Sequence, residues 1–193
     1  MTPVSVPQQN MAHERRSALL VVGLVILSLL IGWQVKTAIQ NATRTVEVSG
    51  LTVNVPDGWL VQEGAGDLLF VARNPLAIDE LYRVSQLPAE PDLAPDLAAL
   101  AENRNLARAR LDDSYRVLSA EPIVFAGRDG YKVSFARVDL DSPGIPHVIE
   151  GLDYYFPEGD RVNVLSLEAE SESFADALPA FQRFAQSMTN TGG

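Results

Sequence analysis

The sequence predicts an α+β domain, an antiparallel β-sheet covered by helices, carried behind one N-terminal transmembrane helix. Three observations predict it. A run of 19 residues without a charge, Ser17 to Val35, lies near the N-terminus. Behind it, short apolar stretches with a two-residue period alternate with Gly- and Pro-containing turns. Two segments break that rhythm with a helical period, one in mid-chain and one near the C-terminus.

At about 1.5 Å rise per residue the uncharged run spans roughly 28 Å, close to the ~30 Å hydrocarbon core of a bilayer. Leu, Val and Ile occupy every side of it, whereas a buried helix of a soluble domain keeps a polar stripe. A cleaved export signal is the main rival reading. Its apolar part is about 7–15 residues long and ends at a small-x-small site. This run is longer, and the flank "QVKTAIQNATR" has no Ala-x-Ala. The chain has no cysteine, so no lipidated cysteine anchors it. Trp33 sits where an interfacial ring would lie. Ser28 and Gly32 make a single small-xxx-small step, read as part of a lipid-facing helix. Arg15 and Arg16 precede the run, while Lys36 and Arg44 follow it. The paired arginines and short tail favour a cytoplasmic N-terminus and a domain outside the cytoplasm. The expected organisation is a disordered tail over 1–16, the membrane span over 17–35, a tether over 36–44, a globular domain over 45–189 and a tail over 190–193.

Residues 1–44 carry four basic and one acidic residue; the remainder carries 11 basic and 24 acidic residues, a net charge of −13. Such a domain repels phosphate backbones and anionic headgroups, so nucleic-acid binding is not expected. A protein partner in the envelope or in a membrane complex is expected, and the bilayer itself through the helix.

Within the domain, "TVEVSG" runs into "LTVNVPDGW", where Leu51, Val53 and Val55 alternate with Thr52 and Asn54 as in a half-buried strand. "LLFVA" (68–72) is apolar on both faces and predicts cover on both sides. "ELYRVSQL" is a further strand. The mid-chain helix follows "PAEPDLAP", with Pro95 and Asp96 suited to its first turn. Leu97, Leu100, Ala107 and Leu111 make its apolar face, and Arg104, Arg108 and Arg110 read as solvated surface. Four strands come next, with turns expected at Gly127–Gly130 and Pro157–Asp160. The last helix presents Phe174, Leu178, Phe181, Phe184 and Met188 on one face. Ser173 with Asp176 suggests a capping box, and Pro179 puts the start of regular helix near itself.

The order of these landmarks resembles the PsbP/Mog-like family. The pieces that carry the likeness are "LTVNVPDGW", "GDLLFVA", "LSAEPIVFAGRDGYKVSFA", the hairpin through "YYFPEGDRVNVLSLEAE" and the closing "SFADALPAFQRFAQSM". It spans about residues 45–189. The resemblance implies an α/β/α sandwich around an antiparallel sheet. It also implies a non-catalytic role, since members include extrinsic photosystem II subunits, a Ran-binding protein and bacterial envelope proteins. The photosystem subunit is exported or lipid-anchored; the membrane helix departs from that pattern. No functional residue is carried over.

No P-loop, Gly-x-Ser-x-Gly or Gly-x-Gly-x-x-Gly is present, and His147 is the single histidine of the domain. No catalytic residue is therefore expected, nor a cofactor. The nearest approach to a metal motif is "DLDSPGIPHVIE". Asp139, Asp141 and Glu150 fall at positions 1, 3 and 12 of a calcium loop. Position 5 is Pro143, which has no side-chain oxygen, and a hairpin loop explains the same letters. Glu168, Glu170 and Glu172 alternate and read as a solvated strand face. Tyr154 and Phe156 point to the core. Tyr155, on the other face, is either a partner contact or packed under a helix. The reading is a membrane-anchored binding or accessory domain; the alternatives are a membrane-tethered hydrolase using carboxylates, with or without calcium, and a structural subunit of a membrane complex.

Overall fold

The computed structural model describes residues 10–40, 42–48, 50–77, 79–89, 96–140 and 145–190. The chain divides into two compact units, Met1–Ala42 and Thr43–Gly193. The first contains helix α1, Asn10–Gln40. Its stretch Leu19–Lys36 is long and apolar enough to cross a membrane, with a mean hydropathy of 2.2 and none of it buried. The Ser28 hydroxyl donates to the Leu24 carbonyl at 2.9 Å, so the polar group inside the span is satisfied by its own helix. The helix extends past the expected span at both ends, taking in residues 10–16 and 36–40. Residues 1–9 and 191–193 lie outside the described residues.

The second unit contains two antiparallel sheets. A three-stranded sheet is built from β1 (Thr43–Val48), β2 (Leu51–Pro56) and the short β10 (Thr189–Asn190). A seven-stranded sheet runs in the order β3 (Leu60–Glu63), β4 (Leu68–Arg73), β5 (Leu81–Pro88), β9 (Arg161–Glu170), β8 (His147–Glu158), β7 (Arg128–Asp139) and β6 (Arg116–Phe125). Helix α2 (Leu97–Leu111) packs on one face of the large sheet; helix α3 (Ser171–Ser187) and β2 pack on the other. Pro95 lies outside the described residues, and Asp96 caps α2 by accepting from the Ala99 N–H at 3.0 Å.

Two turns are tighter than the sequence suggests. Phe125 pairs with Arg128, so the β6–β7 turn is Ala126–Gly127 alone, both at positive φ. Gly130, expected in that turn, lies in β7; a Cβ there would stand 2.7 Å from the Tyr155 carbonyl oxygen and 2.9 Å from the Phe156 ring. Glu158 likewise pairs with Arg161, leaving Gly159–Asp160 as the β8–β9 turn. Helix α3 starts at Ser171 and runs straight through Pro179. That proline and Ala175, whose carbonyl it cannot meet with an N–H, both lie on the exposed side. The expected capping box is not formed. The Ser173 hydroxyl donates to the Glu170 carbonyl at 3.2 Å.

The main core lies between the large sheet, α3 and β2. Leu51, Val53 and Val55 are buried as their alternation predicts. Phe181 and Phe184 of α3 meet Tyr82 of β5 at ring distances of 5.2 and 4.8 Å, and Trp59 meets Tyr82 at 4.4 Å. The seven-stranded sheet ends at β6, whose side chains are largely exposed. Pro122 and the irregularity between Val117 and Ser119 interrupt that edge and discourage pairing with another chain.

Burial raises the pKa of four of the five tyrosines, Tyr82, Tyr115, Tyr154 and Tyr155, because a phenolate is poorly solvated there. In the unfolded chain the same groups ionise near pH 10. The folded state thus holds more protons above that pH, and stability falls as pH rises past it. In an alkaline titration, most of the tyrosinate absorbance is expected to appear together with loss of the circular-dichroism signal. A full rise with the fold intact would contradict this.

Candidate functional site

The face of the large sheet under α2 holds the charged groups of the domain interior. Strand register determines which side chains share it. Asp153 of β8 stands opposite Val133 of β7 and Ser166 of β9, and Ser166 stands opposite Arg83 of β5. One pair-step along lie Phe135, Gly151 and Glu168 in one row. A Cβ on Gly151 would sit 2.0 Å from the Phe135 ring, so this glycine leaves the room that lets the ring lie flat across β8.

Asp153 is fully buried and its Oδ2 accepts from the Arg108 guanidinium at 2.6 Å. Arg108 reaches in from α2 and stacks over Phe135, 4.8 Å from the ring centre. It also donates to the Tyr115 hydroxyl at 3.4 Å, which in turn donates to Asn105 Oδ1 at 2.7 Å. Burial alone would lower the Arg108 pKa. The Asp153 charge and the Tyr115 hydroxyl outweigh it, and the net movement is upward. Glu168, 4 % exposed, accepts from Arg83 and, at 3.0 Å, from Arg137. Burial and the neighbouring guanidiniums of Arg108 and Arg137 bring the Arg83 pKa down to about 10. Asp153 Oδ1 and Ser166 Oγ are buried without a hydrogen-bond partner among the described residues.

Beside this polar layer, α2 and β6 enclose a groove of about 410 Å³. Ala98, Ala101 and Ala109 form its helical wall, Val117 and Ala120 its strand wall, and Tyr115 with Asn105 its floor. The groove is open because the helix presents alanines where larger apolar side chains would fill the space. Its size is that of a small-ligand pocket or of a docking cleft for a few side chains.

Comparison with known proteins bears on the fold. No family model matches the chain, and no curated protein does. Among solved structures, PsbP (CyanoP) from Synechocystis sp. PCC 6803 superposes with a TM-score of 0.60 at 12 % identity, covering 77 % of this chain and 92 % of that one. The Saccharomyces cerevisiae Ran-binding protein Mog1p superposes with a TM-score of 0.52 at 14 % identity, covering 78 % of this chain and 96 % of that one. The domain has the PsbP/Mog1-like fold. Neither description is that of an enzyme.

Within the PsbP/Mog1-like fold, several residues singled out from sequence sit elsewhere than expected. Of the two places expected for Tyr155, the structure takes the one under a helix; it is not an exposed partner contact. It is fully buried with Ala101, Val133, Val162 and Val164 beneath α2, and its hydroxyl donates to Asp153 at 3.4 Å. On α2, Leu97 and Leu100 pack inward as expected, but the inward face continues through Ala101, Asn105 and Arg108, whereas Ala107 is exposed and Leu111 is 90 % exposed. The reason is the sheet opposite: a buried carboxylate requires a cation, and the arginine side of the helix supplies it. Glu168, Glu170 and Glu172 do not share a solvated strand face. Glu168 lies in a central strand between two arginines, Glu170 ends that strand, and Glu172 belongs to α3.

The calcium-loop arrangement does not form from the residues described. Asp139 faces His147 across the β7–β8 hairpin. Glu150 follows Ile149, which shares the side of His147, so its carboxylate lies on the opposite face of β8, where it accepts from Ser171. Asp141 lies outside the described residues. What the structure brings to Asp139 is a set that sequence spacing does not reveal. His147 Nε2 is 3.2 Å from Asp79, 3.9 Å from Asp139 and 3.6 Å from Glu170. Asp79 lies 60 residues before Asp139 in the chain, so only the strand order joins them.

Proposed function

We propose that this chain is a single-pass membrane protein whose acidic domain faces outside the cytoplasm and serves as a non-catalytic accessory module for a protein partner. The observation that carries the reading is the pairing of the interior charges. Asp153 and Glu168 are each held by arginines, which occupies the carboxylates an acid–base enzyme would need free. The apolar groove between α2 and β6 remains open for docking. The exposed span Leu19–Lys36 supports anchoring, and the net −13 charge behind it supports a soluble domain that stays clear of anionic lipid. The Mog1-like fold, known in a protein described as Ran-binding, supports a protein partner.

The test is chemical crosslinking in native membranes from a photoreactive residue placed at Leu106 on the groove lip. One specific adduct is expected, lost when Val117 in the groove is changed to glutamate and retained when exposed Val124 is. Adducts that are equally abundant in both variants, or none at all, would count against the groove as the docking site.

A further inference from the structure

We propose that Asp79, Asp139, His147 and Glu170 form a binding site for a zinc-like divalent cation at one end of the large sheet. The four residues come from four adjacent strands or their flanks. Asp139 ends β7, His147 begins β8 directly opposite it, and Glu170 ends β9. Asp79 precedes β5, whose first residue, Leu81, pairs with Glu168. Continuing that register by one pair-step brings Asp79 level with Glu170. The turn that presents Asp79 is closed by hydrogen bonds. The Asn74 N–H donates to the Glu80 carbonyl at 3.0 Å, and the Asn74 side chain donates to the Glu80 carboxylate at 2.5 Å. These bonds hold Glu80, the neighbour of Asp79, at the start of β5.

The geometry suits a metal. Ligand atoms about 2.0–2.1 Å from a common tetrahedral centre stand roughly 3.3–3.4 Å from one another. The three carboxylate oxygens lie 3.2, 3.6 and 3.9 Å from His147 Nε2, and those of Asp79 and Asp139 form with it a group within 4.8 Å. Small side-chain rotations close the Asp79, Asp139 and His147 atoms around one ion, and Glu170, 3.6 Å from Nε2 but outside that group, needs a larger one. The charge also suits it. With a neutral imidazole the cluster carries three negative charges, which a dication largely offsets. The side chains of Asp79, Asp139 and His147 are only 22 %, 12 % and 26 % exposed, so solvent screens that repulsion incompletely. An imidazole nitrogen among carboxylates selects zinc or a similar transition ion over calcium, which takes oxygen ligands alone. An ion there would clamp β5, β9, β8 and β7 together at one end of the sheet.

The experiment uses the full chain in detergent, stripped with a chelator and titrated with zinc chloride by calorimetry at neutral pH. One zinc per chain and a raised melting temperature are expected, with X-ray absorption showing one nitrogen and oxygens at about 2.0–2.1 Å. His147→Gln and Asp79→Asn should each weaken binding more than about tenfold, as much as or more than loss of an outer-shell partner costs. Half-exposed Glu170→Gln should weaken it with an unchanged metal-free melting curve, which separates loss of a ligand from loss of the fold. Absence of zinc binding, binding that His147→Gln leaves intact, or a zinc sphere without imidazole would each overturn the assignment.

Discussion

Replacing Arg108 with alanine is expected to cost the domain about 3–5 kcal/mol, the usual penalty for leaving a buried charge without its partner. That is a large share of the roughly 5–15 kcal/mol by which such domains are stable. Asp153 is fully buried, and one of its oxygens already has no partner among the described residues. Without Arg108, its other oxygen retains, among the described residues, the Tyr155 hydroxyl at 3.4 Å. The guanidinium also covers Phe135, so packing is lost along with charge. Urea unfolding measures the effect as a lowered midpoint at unchanged slope. The double variant Arg108→Met, Asp153→Leu should recover most of the loss, because apolar groups of similar volume need no neutralising partner. If the single variant lost less than about 1 kcal/mol, the pair would be behaving as a solvated surface bridge, and charge pairing would not be what turns the arginine side of α2 inward.

Truncating Phe181 to alanine should be comparably severe, at about 3–5 kcal/mol, through lost transfer energy and the cavity left behind. Its ring is fully buried and lies 5.2, 5.6 and 5.8 Å from the rings of Tyr82, Tyr154 and Phe184. These neighbours come from both the sheet and α3, so collapse around the hole would have to move a strand or the helix. The informative companion is Leu111→Ala on α2. Apolar spacing places Leu111 in the core, yet it is 90 % exposed, and its loss should change stability by less than about 0.5 kcal/mol. Thermal melting of the two variants side by side measures both; equal losses would contradict the orientation of α2.

The contrast between these two helices shows what a sequence carries. The inward face of α3 is legible because its core contacts are apolar: Phe181 and Phe184, with Met188 just past the helix end, recur at helical spacing and are all buried. The inward face of α2 is legible only in its first turn, where Leu97 and Leu100 pack against the core; further along, its inward polar contacts are Asn105 and Arg108, residue types that periodicity assigns to solvent. The same applies to Tyr155 and Glu168. Each alternates correctly along its strand, but alternation says only that successive side chains take opposite faces, not that both faces are covered. The strand order sets β8 and β9 in the middle of seven, under helices on both sides, and that buries them.

By itself, the sequence determined the apolar helix near the N-terminus, the acidic domain behind it and most of the strands, because apolar spacing and turn residues act over a few neighbouring positions; the PsbP/Mog1-like arrangement was implied by the resemblance that the order of those landmarks carries. Only the tertiary structure decided which arginines enter the interior, where a groove stays open, and that Asp79 joins Asp139, His147 and Glu170. Those outcomes depend on strand order and register, which bring together side chains distant in the chain, and no local pattern encodes that proximity.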